Sequence, residues 1–326
     1  MNLPYTMRLL CLCGASFFMI HMALALAARL SAGTAVRWAE HMKPSSAARF
    51  LFVLRTAPLA LTLTAVLAFC VPSYLWLEPE ISRERVGFVC VLLAVLGAAL
   101  WASALLRVMG AVRGTTRYLH ECERHGRKIT VPGEDSPALL VADKNPVMAV
   151  AGVFRPQLLI SRRVMSGLSA EQCEAALRHE HAHLSSGDNL KRLLILLSPD
   201  ALPFGSAFSH LERAWSRFTE WAADDQATDG DPQRALTLAS ALVSVAKMGS
   251  DRRPTYLSCS LVGGTRDLSE RVERLLRPQP KPDKPIKELI SLLSGAGGLV
   301  AAAIAIMVIW PGSLTVVHQA LERLIH

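Results

Sequence analysis

Apolar positions dominate four stretches that hold no Asp, Glu, Lys or Arg: residues 9–28, 56–77, 86–106 and 289–321, which are 20, 22, 21 and 33 residues long. A bilayer hydrocarbon core about 30 Å thick needs about 20 apolar residues at a helical rise of about 1.5 Å, so each stretch is long enough to span it. The pattern predicts an α-helical membrane protein with four transmembrane helices, three plus one, the fourth at about residues 289–310. The intervening polar segment is long enough to bury a core of its own. The expected division is residues 1–111 for three spans, 112–287 for a mainly α, α+β domain, and 288–326 for the fourth span and a short tail.

Inside the polar domain, residues 112–127 continue the third span as a helix. Four short apolar runs, 128–131, 138–141, 147–151 and 157–160, read as small strands, with Gly133, Asn145-Pro146, Gly152 and Pro156 between them as hairpin turns would require. Ser169-Ala170-Glu171-Gln172 fits a capping box that opens a helix running to about Ser185, and Gly187 ends it. Asp188 can cap a further apolar helix over 189–197, and after the breakers Pro199 and Pro203 a helix over about 207–227 follows. Asp231-Pro232 opens another. Residues 250–266 show no period, a short helix falls near 268–276, and Pro278, Pro280, Pro282 and Pro285 mark an extended linker into the fourth span.

Composition agrees with this picture: 51% of the chain is hydrophobic, 19% is charged, and the mean hydropathy is +0.30, which excludes disorder and argues against an ordinary soluble domain. The net charge of +8 is unevenly placed. The loop after the first stretch carries Arg29, Arg37, Lys43, Arg49 and Arg55 against Glu40 alone, whereas the loop after the second is net negative through Glu78, Glu80 and Glu84. Arg107, Arg113, Arg117, Arg124, Arg127 and Lys128 follow the third stretch, and Lys281, Lys284 and Lys287 precede the fourth. Signs that alternate in this way predict a multi-pass inner (plasma) membrane protein with the polar domain in the cytoplasm and both termini outside. The positive excess then belongs to topology and the anionic lipid bilayer, and no basic motif interleaved with aromatics points to nucleic acid. An alternative for the first stretch is a cleavable signal peptide cut after Ala27; the basic loop behind it favours a span. Seven cysteines without CxxC spacing speak against a disulfide framework or thiolate metal binding.

His179-Glu180-His181-Ala182-His183 contains H-E-x-x-H inside the capped helix. At about 100° per residue His179 and His183 lie about 40° apart on one face, so both imidazoles can reach one metal ion. Glu180, about 100° round, can instead lean over a metal-bound water and take its proton. His181 points about 200° away and reads as a packing or surface residue. A catalytic zinc wants a third protein ligand and an open position. Glu220 can supply the ligand, and Asp224, one turn later, can orient a liganding histidine. Glu212 competes on spacing but has no carboxylate one turn onward. Asp188 reads equally as a helix cap or as a second partner to a histidine. His21 is an ionisable residue inside the first stretch, with a relay role weighed against simple packing.

H-E-x-x-H with Asp188-Asn189 behind it, Glu220-x-x-x-Asp224, and the upstream Gly152-Val153-Phe154-Arg155-Pro156-Gln157-Leu158-Leu159-Ile160 together resemble the membrane metallopeptidases of the beta-lactam sensor-transducer (antirepressor) type. The resemblance covers nearly the whole chain and is strongest over about residues 146–228. It implies three spans, a cytoplasmic gluzincin domain and a fourth span, one Zn2+, and proteolysis of a cytosolic protein substrate such as a winged-helix repressor in response to an external signal. With about 16 residues after the fourth span, the penicillin-binding sensor domain is expected to be lacking, and the stimulus is expected to be a membrane partner or the bilayer.

The expected mechanism has His179, His183 and Glu220 as ligands and Glu180 as general base and later proton donor. The substrate would pair with an exposed edge at residues 147–151. Arg271 and His210 are the oxyanion candidates, and residues 250–264 are the candidate for self-cleavage. Two other readings stand beside this one. One is a membrane quality-control protease similar to the HtpX-like and CAAX prenyl protease families; the other is a non-catalytic signalling scaffold. The uncut polar segment over 184–288 and the presence of Glu180 weigh against them.

Overall fold

The computed structural model describes residues 4–78, 86–130, 138–141, 147–200, 208–249, 258–260, 265–277 and 311–325. The first three apolar stretches lie in three long helical rods: α1 (Tyr5–Ala39), a rod formed by α2 (Pro44–Ala65), a π-turn (Val66–Cys70) and α3 (Val71–Leu77), and α4 (Phe88–His125). All three are long and apolar enough to cross a membrane. The π-turn has a local cause, because Pro72 has no N–H to return to the carbonyl four residues back and the helix widens just before it. The first and third rods pack closely, since a Cβ at Gly97 would lie 2.5 Å from the Gly14 carbonyl oxygen. Only glycine allows that approach.

At 35 and 38 residues, α1 and α4 are about 52 and 57 Å long, well beyond a hydrocarbon core of about 30 Å. The surplus has a use. Ala25, Ala28, Ala32, Ala35 and Val36 of α1 and Ala47, Ala48 and Leu51 of α2 form one buried cluster with Phe208, Leu211, Trp215 and Phe218 of the polar domain. The proline-rich linker and the expected fourth span, residues 289–310, lie outside the described residues. The end of the fourth apolar stretch and the tail after it form a helix, α11 (Pro311–Ile325). Its Val317 and Leu321 pack with Leu12, Val66, Cys70 and Tyr74, and Ser73 Oγ donates to the Leu314 carbonyl at 2.9 Å.

In the polar domain the four expected strands form as β1 (Arg127–Ile129), β2 (Ala138–Val141), β3 (Met148–Ala151) and β4 (Gln157–Ser161). A fifth, β5 (Ser258–Ser260), arises in the stretch that shows no sequence period. The order is β1-β2-β4-β3-β5. β2 and β4 are parallel, so the consecutive-hairpin expectation fails between β2 and β3: β4 has inserted between them. β5 pairs antiparallel with β3, Val150 opposite Cys259. The edge at 147–151 expected to receive substrate is therefore covered by the chain's own backbone. The reason is non-local, for three residues without apolar alternation acquire strand geometry from an unpaired edge.

Seven helices complete the described fold: α5 (Arg162–Gly167), α6 (Ala170–Ser186), α7 (Asp188–Leu197), α8 (Ser209–Thr228), α9 (Pro232–Lys247), α10 (Thr265–Leu276) and α11. Ala175, Ala176, Ala227, Leu238, Ala241, Leu242 and Val245 pack against Met148, Ile160 and Val164 to form the domain core. α6 thus lies between the sheet and α8, where its polar face meets the face of α8 that bears the carboxylates.

Candidate metal centre

Two caps set the register of α6. Ser169 Oγ accepts from the Gln172 amide and Gln172 Oε1 accepts from the Ser169 amide, closing the capping box at the start. Gly187, at φ 66°, ends the helix in the left-handed conformation. The last two turns therefore carry the histidines, with His179, Glu180 and His183 buried and His181 exposed, as their helical phase requires. α8 brings Glu220 and Asp224 to the same place.

His179 Nε2 and His183 Nε2 are 3.2 Å apart, Glu220 Oε2 lies 3.5 Å from the first and Glu220 Oε1 3.7 Å from the second. Tetrahedral zinc with bonds of about 2.0–2.1 Å holds its ligand atoms about 3.3–3.4 Å apart, so this triangle has the size of a zinc face. The far side of each ring supports the same conclusion. His183 Nδ1 donates to Asp188 Oδ2 at 2.8 Å, and His179 Nδ1 lies 3.0 Å from Asp224 Oδ1. Each Nδ1 faces a carboxylate and so carries the ring proton, which leaves two lone pairs meeting at Nε2. A cation between them resolves that repulsion. His179, His183 and Glu220 are the His/Cys/Asp/Glu group among the described residues whose atoms converge in this way.

Glu180 is buried beside the triangle. Its Oε2 accepts from the Val150 amide of β3 at 3.1 Å, while Oε1 has no hydrogen-bond partner among the described residues. Burial pushes its pKa up to about 7 against the pull of His179 and His183. For Glu220, burial acts upward, but His183 and Arg271 hold the carboxyl well below its ordinary value. Burial likewise opposes ionisation of Asp224, yet the Arg271 guanidinium and the bond to His179 bring it down to about 2. Asp188 divides its oxygens between His183 and Lys191, whose Nζ donates to Oδ1 at 2.9 Å. It makes no side-chain cap for α7, so its contact is to the histidine.

Arg271 of α10 is drawn fully into the centre. It donates Nε to Asp224 Oδ2 at 2.9 Å and Nη2 to Asp224 Oδ1 at 2.7 Å, and its Nη1 lies 3.1 Å from Glu220 Oε2. Three of its five N–H groups are thereby committed to two carboxylates, and Nη2 also approaches His179 Nε2 at 3.4 Å. His210 is exposed in the first turn of α8, ten residues and about 15 Å along the helix from Glu220. Glu212 is engaged elsewhere, accepting from Arg55 at 2.8 Å.

A family model described as BlaR1 peptidase M56 matches residues 59–275, two thirds of the chain. The chain belongs to that family. The matched region begins in the second rod and ends in α10, so it takes in both the ligand triangle and Arg271. With three helices fit to cross a bilayer, this is a membrane protein of a metallopeptidase family, for which zinc is the consistent metal. No curated protein compared with this M56 chain matches it significantly.

Sequence reasoning missed two contributors to the centre. The Val150 amide has no side-chain signature. Asn189, which bonds the Val150 and Gly152 carbonyls at 3.0 and 2.9 Å and so ties β3 to α7, was visible only as the neighbour of Asp188.

Proposed function

We propose that this M56 chain is an integral-membrane zinc endopeptidase that works as a signal transducer, its peptidase domain in the cytoplasm, cutting a cytosolic repressor-type protein. The observation that carries the hydrolytic reading is the joint placement of the zinc-sized triangle and a buried carboxylate with one uncommitted oxygen.

His179, His183 and Glu220 would hold the zinc, which when bound acidifies a water and polarises the scissile carbonyl. Glu180 takes the water's proton at Oε1 while the Val150 amide keeps Oε2 in place, and passes the proton to the departing amine. Asp188 and Asp224 hold the two imidazoles in the tautomer that leaves Nε2 free to bind. A substrate lies extended along β3, in the position that β5 takes here.

That occupancy favours the transducer over a quality-control protease, because an edge already paired with the chain's own strand describes an enzyme held latent until β5 leaves. Residues 250–264 are then the segment cut on activation. The test is co-expression with a candidate winged-helix repressor, wild type against Glu180→Ala. Repressor fragments and a new amino terminus within 250–264, both lost in the variant, are expected. Equal fragments from both chains would refute proteolysis by this centre, and loss of misfolded membrane proteins without repressor cleavage would favour quality control.

A further inference from the structure

All three candidate membrane helices send a polar side chain to the same three consecutive residues, Ser198, Pro199 and Asp200. From α1, the buried His21 donates Nε2–H to the Pro199 carbonyl at 3.2 Å. From α2, the buried Arg55 donates Nη2 to the Ser198 carbonyl at 3.1 Å and to Asp200 Oδ1 at 2.9 Å. From α4, Arg107 reaches Asp200 Oδ2 and, at 3.4 Å, the Ser198 carbonyl. Ser198 is the residue that ends α7, so two guanidinium groups sit on the negative end of that helix.

α7 is ten residues long, about 15 Å of rigid rod. Its first residue is Asp188, which holds His183 at 2.8 Å and is itself held by Lys191 one turn on. Across the break between α6 and α7 at Gly187, Asn189 ties the first turn of α7 to β3, and Asp188 ties it to α6. The His183–Asp188 bond bridges that break, so a displacement at the far end of α7 is delivered to a ring that bears a metal ligand atom.

We propose that Asp200 is a positioning residue of the metal centre: it fixes the far end of α7 to the membrane helices and thereby sets where Asp188 places His183. This rests on the metal-site reading above and adds its regulation. A relative shift of α2 and α4 moves Arg55 against Arg107, and Asp200, bonded to both, carries the shift into α7. Arg55 is the poorer probe, because its Nε also holds Glu212 on α8, the helix of Glu220. Asp200 and Arg107 make no bond of their own to α8 among those described here and reach it only through Arg55.

The test uses the full-length chain in detergent micelles. Zinc affinity is read by chelator competition and ligand geometry by the visible absorption of the Co2+-loaded protein, for Asp200→Asn and, as a second and milder variant, Arg107→Gln. Both are expected to weaken zinc by about 3- to 10-fold and to shift the Co2+ bands, within the range of couplings carried through packed elements. In an Asp188→Ala background the same changes should alter affinity by less than about twofold, since the connection is already cut. Wild-type affinity and spectra in both variants would overturn the inference, as would an undiminished loss in the Asp188→Ala background. A wild-type chain that binds no zinc would overturn the metal-site reading, and this inference with it.

Discussion

Replacing Arg271 by methionine separates two roles that its geometry combines, neutralising charge and orienting ligands. The guanidinium is 2% exposed and faces Asp224, which is fully buried, and Glu220, which is 17% exposed. Removing one partner of a buried ion pair costs about 3–5 kcal/mol, because the remaining charge stays desolvated. α10 should remain docked, as Leu268, Val272 and Leu275 stay in the core and Arg274 keeps Asp225 at 2.7 Å. At about 2–4 °C per kcal/mol, the metal-free chain should lose about 6–20 °C of thermal stability. Zinc changes the balance, since a dication at the triangle attracts Glu220 directly and Asp224 through His179. The zinc-loaded variant should therefore lose only about half as much, and by linkage the difference of about 1.5–2.5 kcal/mol should make zinc bind it about 10- to 70-fold more tightly than the wild type. The acid side gives a second reading. Asp224 titrates at about 2 instead of its ordinary 3.8, so its contribution is complete above about pH 4 and disappears as pH falls through about 2. That difference is worth about 2 kcal/mol in the wild type and should shrink in Arg271→Met. Thermal unfolding of metal-free and zinc-loaded protein, together with chelator competition, measures all of this. A fall in zinc affinity that parallels the loss of stability would refute the argument and make Arg271 an organiser of ligands instead.

Three further outcomes are expected. Glu180→Gln should retain zinc, by metal analysis, while peptide cleavage falls by about 10²- to 10⁴-fold, the range of a lost general base; loss of the metal would mean that Glu180 is a ligand. Asp224→Ala should weaken zinc by about 10- to 100-fold, whereas Asp225→Ala, which breaks a part-exposed pair with Arg274, should cost less than about 1 kcal/mol in thermal unfolding. Reporter fusions at residue 45 and in the polar domain should read cytoplasm, and fusions at residue 81 and after Trp310 outside; a mature amino terminus at Ala28 would instead show a cleaved first stretch.

The sequence alone determines those features of this protein whose cause is local. Uncharged length identifies the first three rods, the Ser169–Gln172 pair opens α6 and Gly187 closes it, and the helical phase between these caps puts His179 and His183 on one side with His181 on the other. The Glu220–Asp224 spacing is legible for the same reason, since four residues are one turn of a helix whatever surrounds it. Tertiary structure decided the rest. The insertion of β4 between β2 and β3, and the pairing of β5 with β3, depend on which edges are left open after the domain has closed. Arg271 stands in the sequence as an oxyanion candidate on a short helix with no visible partner, and only when α10 packs beside α8 and α9 does its fork meet Asp224 and Glu220. Arg55 is at the border of an uncharged stretch and reads as a topology signal; its bonds to Ser198, Asp200 and Glu212 cross more than 140 positions of chain. Periodicity and capping act over a few residues, and no pattern at that range records which charges a fold will bring together from its two ends.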